Sequence, residues 1–258
     1  MPSLSVAQFQ IVYNVFSFTF AAMFAAFIFA VMARQQLAPQ YRAAMIMSAL
    51  VVGVAGYHYL RIFESWNAAF TLQGGMYVSS GKPFNDAYRY VDWLLTVPLL
   101  IAELVFVINP LNRGRLTFTL ATAAALMVIL GYPGEVASSM GTRALWGFLS
   151  TIPFLYIVWK LFAGLGTSMN EQPTSVRVLI RNTRWLLLAT WGFYPIVYLL
   201  PILGVTDTAA IIAVQVGYCI ADVAAKAGYG LMIYAIASEK SKVAGWKYGA
   251  TELSKPAA

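Results

Sequence analysis

Long apolar runs fill almost the whole of this chain. Seven of them lie at about 6–32, 42–66, 85–108, 116–137, 143–164, 176–200 and 206–238, with breaks at charged residues, Gly, Pro or Asn. A bilayer core about 30 Å thick needs roughly 20 apolar residues per helix, so each run is long enough to cross it. The sequence therefore predicts an all-α bundle of seven transmembrane helices, called spans 1 to 7 below.

The composition excludes a water-soluble globule. Of 258 residues, 60% are hydrophobic and 10% are charged, against about 25% charged residues in ordinary soluble domains. The connections are too short for a second domain, so residues 1–258 are predicted to form one membrane domain with a short tail at about 240–258. Gly74-Gly75, in the polar stretch 67–84, predicts a small hairpin. One Cys, Cys219, and one His, His58, exclude an intrachain disulfide and cannot build a metal site alone.

The 17 Lys and Arg residues give a net charge of +7, but they are dispersed between apolar runs, which argues against a nucleic-acid partner. Most fall on one side of the predicted bundle: Arg34, Arg42, Arg113, Arg115, Lys160, Arg177, Arg181, Arg184, Lys240, Lys242, Lys247 and Lys255. The other side has Arg61, Lys82 and Arg143. Basic loops stay in the cytoplasm, so we expect the N-terminus outside and the C-terminus inside.

Lys226 lies midway along span 7, and Asp222 precedes it by one helical turn. An ionisable group at this depth costs several kcal/mol unless it is paired or hydrated. The two residues are consistent with a structural ion pair. They are equally consistent with a desolvated amine reserved for Schiff-base chemistry with an aldehyde.

Span 3 carries four polar residues in a column. Asp92 and Glu103 are eleven residues apart, which in a helix places them on one face and roughly 16 Å apart along the axis. Thr96 shares that face, and Arg89 lies one turn to the outer side of Asp92. Glu103 has only apolar neighbours and no evident cation, which favours its neutral form, whereas Arg89 and Lys226 favour an ionised Asp92. Such a pair suits the roles of proton donor and proton acceptor.

Aromatic residues recur at helical spacing in span 6, where Trp191, Tyr194 and Tyr198 accompany Pro195. A stripe of this kind is more often helix packing or an interfacial belt than a ligand pocket. Pro195 is equally explained as a tolerated kink.

The motifs RYVDWLLTVPLLIAE at 89–103, WGFYP at 191–195 and DVAAK at 222–226 together resemble those of microbial (type 1) rhodopsins. The resemblance covers the whole chain. It implies all-trans retinal held as a Schiff base on Lys226, with Asp92 as primary counterion and proton acceptor and Asp222 as second counterion. It also implies that Glu103 is the cytoplasmic proton donor and that Arg89 gates charge on the outer side.

The same resemblance assigns a chromophore pocket. Trp93, Thr96, Trp191, Tyr194 and Pro195 match retinal-contact positions, Leu100 matches a position where leucine accompanies green absorption, and Phe154 and Tyr198 are expected in the same pocket. His58 matches a histidine that contacts the acceptor carboxylate, although a lone helical histidine is more often a core residue.

The triplet Asp92, Thr96 and Glu103 resembles the outward proton pumps of the proteorhodopsin and xanthorhodopsin branch. This implies a light-driven transporter rather than an enzyme, in a prokaryotic plasma membrane, moving protons across the lipid bilayer as a homo-oligomer, either trimer or pentamer. Two alternatives stay open. One is a photosensory protein that signals through a partner, and the other is a colourless transporter with a plain Lys226–Asp222 ion pair.

Gly147 in span 5 aligns with a position where xanthorhodopsin-like members carry glycine. There, the missing side chain opens a window through which a hydroxylated carotenoid can approach the retinal ring. A glycine that merely allows close helix packing is the alternative interpretation.

Overall fold

The computed structural model describes residues 1–163 and 166–248, and its backbone is overwhelmingly helical. The helices are α1 Val6–Ala33, α2 Arg42–Ala69, α3 Tyr88–Ile108, α4 Arg113–Glu135, α5 Met140–Phe162, α6 Gly166–Asn170, α7 Thr174–Leu199, α8 Thr208–Asp222 and α9 Tyr229–Val243. A π-helical segment, Val223–Gly228, joins α8 to α9. Residue 164, at the end of the fifth predicted run, and the tail from 249 onward, with Lys255, lie outside the described residues.

Seven helical spans correspond to the seven predicted runs. Within the described residues, six of them are long and apolar enough to cross a membrane. The remaining one, α7, is less apolar because its first half carries Arg177, Arg181 and Arg184 and its second half is rich in Trp and Tyr.

The seventh span is one continuous helix, Thr208–Val243. It is α-helical at both ends and π-helical in the middle. The π-helical turn is centred on the residues around Lys226, and the backbone N–H of Val223 is shared between the carbonyls of Cys219 and Ile220. π-helical turns are rare and occur mostly at functional sites. The apolar pattern of the sequence predicts the span but not this local widening.

A small antiparallel sheet covers one end of the bundle. Strands β1 (Leu4–Ser5), β2 (Phe70–Gln73) and β3 (Met76–Ser79) pair in the order β1-β3-β2. Gly74 and Gly75 make the turn with φ of 58° and 82°, a left-handed conformation that favours glycine. The predicted hairpin is therefore present, and the N-terminal segment adds a third strand to it.

Side-chain caps determine where several helices begin. Ser5 and Gln8 form a reciprocal capping box at the start of α1. The side chains of Ser139 and Asp207 accept the first free backbone N–H groups of α5 and α8. At its far end α3 stops at Asn109, whose φ of 58° is left-handed.

The helix α3 lies at the centre of the bundle. Of its most apolar stretch 61% is buried, against 22% for α1 and 11% for α5. The helices α1 and α5 therefore present most of their apolar surface outward, as expected for helices in contact with lipid. The residues that carry chemistry lie on α3 and on its neighbours α2, α7 and the seventh span.

Candidate functional site

Lys226 lies between two carboxylates in the middle of the bundle. Its Nζ is 2.8 Å from Oδ2 of Asp92 and 2.8 Å from Oδ1 of Asp222. All three side chains are at most 2% exposed. The structure thus brings together α3 and the seventh span as the sequence predicts, and the buried amine is stabilised by two acids rather than one.

Asp222 is also held by two tyrosines. The hydroxyl of Tyr59, on α2, donates to its Oδ2 at 2.7 Å, and the hydroxyl of Tyr194, on α7, donates to Oδ1. Hydrogen bonds to an ionised carboxylate are roughly twice as strong as neutral ones. Asp222 is therefore fixed in place, whereas no side-chain hydroxyl of the described residues hydrogen-bonds the Asp92 carboxylate.

Arg89 is buried toward the outer end of α3, but its guanidinium is directed away from Lys226. It donates to Oε1 of Gln215 at 2.5 Å and to Oδ2 of Asp86 at 3.3 Å, and its Cζ lies 4.7 Å from the centroid of the Tyr218 ring. With Lys226 it supplies two positive charges beside the two buried aspartates, and the exposed Asp86 adds a carboxylate at the outer end. Gln215 was not singled out from the sequence.

His58 is near the acceptor candidate without being hydrogen-bonded to it. Its Nδ1 is 3.9 Å from Oδ1 of Asp92, too long for a hydrogen bond. The same nitrogen is 3.0 Å from the backbone carbonyl of Val54. The His58 side chain is 9% exposed, so the imidazole is buried on α2 beside the acidic side chain.

Glu103 is fully buried on α3, away from the aspartates. Its Oε2 accepts a hydrogen bond from the hydroxyl of Ser48 on α2, and no Lys or Arg of the described residues pairs with it. Between Asp92 and Glu103 along α3, the backbone carbonyl of Leu100 accepts a hydrogen bond from the Tyr229 hydroxyl at 2.9 Å. The sequence did not point to Ser48, because a serine on another helix leaves no pattern near Glu103 in the chain.

A cavity of about 360 Å³ begins at Lys226 and Asp222 and runs between α3, α4, α5 and α7. Its walls are mostly apolar and aromatic. They include most of the predicted pocket residues: Trp93, Leu100, Gly147, Phe154, Trp191, Tyr194, Pro195 and Tyr198. The volume falls within the range of small-molecule sites.

Two predicted pocket positions behave differently from the rest. Thr96 is fully buried but donates its hydroxyl to the backbone carbonyl of Asp92 at 2.8 Å, and it is not among the residues that line the cavity. At Gly147 the space above the backbone is filled by Tyr198: a Cβ built on Gly147 would lie 2.6 Å from Cε1 of that ring.

Known proteins share this architecture. The sequence model of the family described as bacteriorhodopsin-like protein matches residues 11–240. Green-light absorbing proteorhodopsin of the gamma-proteobacterium EBAC31A08 is 27% identical over 86% of this chain and 84% of its own. Bacteriorhodopsin of Halobacterium salinarum is 31% identical over 64% of this chain and 65% of its own.

Solved structures agree over nearly the whole length. The crystal structure of xanthorhodopsin, titled a light-driven ion pump with dual chromophore, is 56% identical and covers 96% of this chain and 100% of its own, with a TM-score of 0.93. The crystal structure of thermophilic rhodopsin is 48% identical over 95% of this chain and 100% of its own, with a TM-score of 0.91.

Proposed function

Because the chain belongs to the bacteriorhodopsin-like family, we propose that it is a light-driven outward proton pump with retinal bound covalently to Lys226. It is a multi-pass integral membrane protein, given this family and its six clearly apolar helices. The observation that carries the proposal is the amine of Lys226, buried between Asp92 and Asp222 at the end of an aromatic-walled cavity.

The residues present fit retinal. A polyene aldehyde needs a buried amine, an anionic environment for the cation formed at that amine, and an apolar channel. Lys226 offers the amine, the two aspartates offer the charge, and Trp93 and Trp191 are among the walls. When bound, retinal would supply light absorption and an isomerisation that drives the cycle.

The two spatially separated acids then divide the proton transfers. Asp92 is 2.8 Å from Lys226 Nζ, and no side-chain hydroxyl of the described residues donates to it, so it is the acceptor of the proton held at Nζ. Asp222, with two tyrosine donors, remains an anion throughout. Glu103, which is buried and pairs with no Lys or Arg of the described residues, returns a proton to Nζ from the opposite end of α3. Net transport follows if access to the amine switches between the two transfers, because acceptor and donor lie on opposite sides of it.

Two further residues support the acceptor. Arg89, held by Gln215 and Asp86, keeps a positive charge on the outer side of Asp92. His58 faces the same carboxylate at 3.9 Å and would stabilise its anionic form when protonated. Trp93, Leu100, Phe154, Tyr194 and Pro195 would hold the chromophore, with green absorption expected. We also propose a homo-oligomer, trimeric or pentameric, in a prokaryotic plasma membrane.

The test of the pump is the external pH of unbuffered cells that express the protein with retinal under green light. We expect acidification that a protonophore abolishes, and none in cells carrying Lys226→Ala. A coloured protein that gives no pH change would overturn pumping and favour the photosensory alternative. A protein that stays colourless with retinal would overturn the chromophore site itself.

A carotenoid antenna at Gly147 is the second part of the proposal. Gly147 lies on the cavity wall, beside Phe148, which is 67% exposed on the outer surface of α5. A ring lying on this surface would approach the cavity wall at Gly147, where Tyr198 is the nearest side chain. We expect a hydroxylated carotenoid to transfer excitation energy to the retinal, and Gly147→Trp to abolish the transfer. Absence of transfer in the unmodified protein contradicts the antenna and leaves the pump untouched.

A further inference from the structure

The last carbonyls of α3 are capped by a lysine from another helix. Nζ of Lys240, on α9, donates to the backbone carbonyl of Val107 at 2.9 Å and to that of Ile108 at 3.0 Å. The final four carbonyls of a helix have no partner within it, and a cation at this end also interacts favourably with the helix dipole. Lys240 thus satisfies two of these carbonyls and contributes a charge.

Further contacts around Lys240 connect three parts of the bundle. The ring centroid of Tyr41, just before α2, is 5.3 Å from the same Nζ. Gln172 adds a longer hydrogen bond, 3.4 Å, to the carbonyl of Ile108. On the next residue of α9, the hydroxyl of Ser241 accepts from the backbone N–H of Ala38 at 3.0 Å.

The contacts between Lys240 and the end of α3 lie close to Glu103. Glu103 is five residues before Ile108, about 7.5 Å along the helix axis. The intervening Leu104, Val105 and Val107 are fully buried, as is Leu37 from the connection before α2. The packed region that Lys240 contacts therefore lies between Glu103 and this end of the molecule.

We infer that Lys240 is a positioning residue that ties α9 to the end of α3 and thereby keeps the proton-uptake route to Glu103 closed. The inference rests on the proposed function, because uptake at Glu103 has a meaning only in a pump. Lys240 lies on the same continuous span as Lys226. Its contacts with α3 therefore also connect the helix that carries Lys226 to the helix that carries Glu103. Without the lysine, the Val107 carbonyl would need water as a partner and the Ile108 carbonyl would keep only the longer bond from Gln172, and that water would hydrate the route.

The test compares three variants of the full-length protein in lipid nanodiscs. Lys240→Met keeps the aliphatic chain but removes the donor and the charge, and Lys240→Arg keeps both. Lys242→Met is the matched control, since Lys242 lies on the same helix, loses the same charge and is 72% exposed. A pH-indicator dye in the medium reports the rate of proton uptake after a light flash, and thermal denaturation reports stability.

We expect Lys240→Met to accelerate proton uptake at least about tenfold, because it removes two hydrogen bonds from a charged group and each is worth about a factor of ten in rate. Lys240→Arg and Lys242→Met should match the unmodified protein. An unchanged uptake rate with a lower melting temperature would show a merely structural role and overturn the inference. Slower uptake would also overturn it, because the lysine would then be passing protons on rather than holding a route closed.

A measurement in the dark separates this inference from the proposed function. Hydrogen exchange of a peptide covering residues 100–112 should be faster in Lys240→Met than in Lys242→Met, whether or not the protein pumps. Equal exchange in the two variants would refute the claim that Lys240 holds α9 against the end of α3. Absence of light-driven uptake in the unmodified protein would refute the proposed function. The exchange experiment would still test whether Lys240 holds α9 against α3.

Discussion

Glu103 and Asp92 have different partners although they lie on one helix. Asp92 is 2.8 Å from a lysine amine, whereas Glu103 contacts the neutral hydroxyl of Ser48. A hydroxyl offsets only part of the cost of burying a charge. The surroundings therefore stabilise an anion at Asp92 and a proton-bearing carboxyl at Glu103, which is the division of roles that a vectorial proton transfer requires.

Replacement of Glu103 by Gln tests the donor role. Glutamine keeps the shape and can still accept from Ser48, but it has no proton to give. Return of the proton to Lys226 Nζ should slow by about 100-fold, the lower range of the effect of a positioned acid. Time-resolved absorbance in the visible range measures this step. The colour in the dark should be nearly unchanged, because Glu103 is distant from the amine.

The matched control is Glu171→Gln, which changes the same functional group at an exposed position between α6 and α7. It should leave the cycle unchanged. If Glu103→Gln and Glu171→Gln both behave like the unmodified protein, the donor must be sought elsewhere.

Residues that act along one helix could be predicted, and residues that act between helices could not. The spacing of Asp222 and Lys226 and that of Asp92 and Glu103 follow from the helical repeat alone. Tyr59, by contrast, reaches Asp222 from 163 positions away in the chain. Its contribution depends on how α2 lies against the seventh span, which no local pattern encodes. The resemblance to microbial rhodopsins supplied roles, but it did not single out Tyr59, Ser48 or Gln215.

At the scale of elements, the junction of α7 and α8 is packed around a glycine. A Cβ built on Gly217, in α8, would collide with Cζ of Phe193 in α7. Phe193 precedes Tyr194, whose hydroxyl donates to Asp222. The close approach of these two helices therefore positions one of the partners of the counterion.

We predict that Gly217→Ala destabilises the protein by about 1–3 kcal/mol, the usual cost of overpacking a well-packed contact. It should also shift the visible absorption maximum, because displacement of Phe193 moves Tyr194. Gly192→Ala in α7 is the control, since nothing lies within 4 Å of a Cβ at that position. Thermal denaturation and the absorption spectrum measure both effects, and equal melting temperatures for the two variants would contradict the prediction.

The ends of the elements show where the sequence misleads. The apolar pattern stops span 7 at about 238, before Glu239 and Lys240, but α9 continues to Val243. The charged turn stays helical because Lys240 and Ser241 find backbone partners on other parts of the chain. At the other end, the predicted third run begins at 85, whereas α3 starts at Tyr88 because Asn85 first makes a turn with Ala87.

At the scale of the whole molecule, the two ends of the bundle differ in charge. At the hairpin end, Arg61 lies 3.5 Å from Glu64 and Arg143 lies 2.8 Å from Glu135. These ion pairs reduce the positive charge on that side further than the count of residues suggests. The opposite end carries Arg34, the basic start of α7 and the lysines of α9, and this excess of Lys and Arg is the feature that sets membrane orientation.

Orientation and direction of transport are the same question in this molecule. The helix α3 starts at the hairpin end, with Asp92 near that start and Glu103 near the opposite end. If the hairpin faces the outside, a proton accepted at Asp92 lies toward the exterior of Lys226 and one supplied by Glu103 comes from the cytoplasm. The reverse orientation with the same residues would carry protons inward.

Cysteine labelling in intact cells decides the orientation. The native Cys219 is 1% exposed, so an introduced cysteine would be the reactive one among the described residues. Ser80→Cys, beside the hairpin, should react with a membrane-impermeant maleimide added outside, and Glu171→Cys should react only after the cells are permeabilised. Both positions are exposed, so a difference between them reports the side of the membrane rather than burial. The opposite labelling pattern would place Asp92 toward the cytoplasm, and external acidification would then require a different assignment of acceptor and donor.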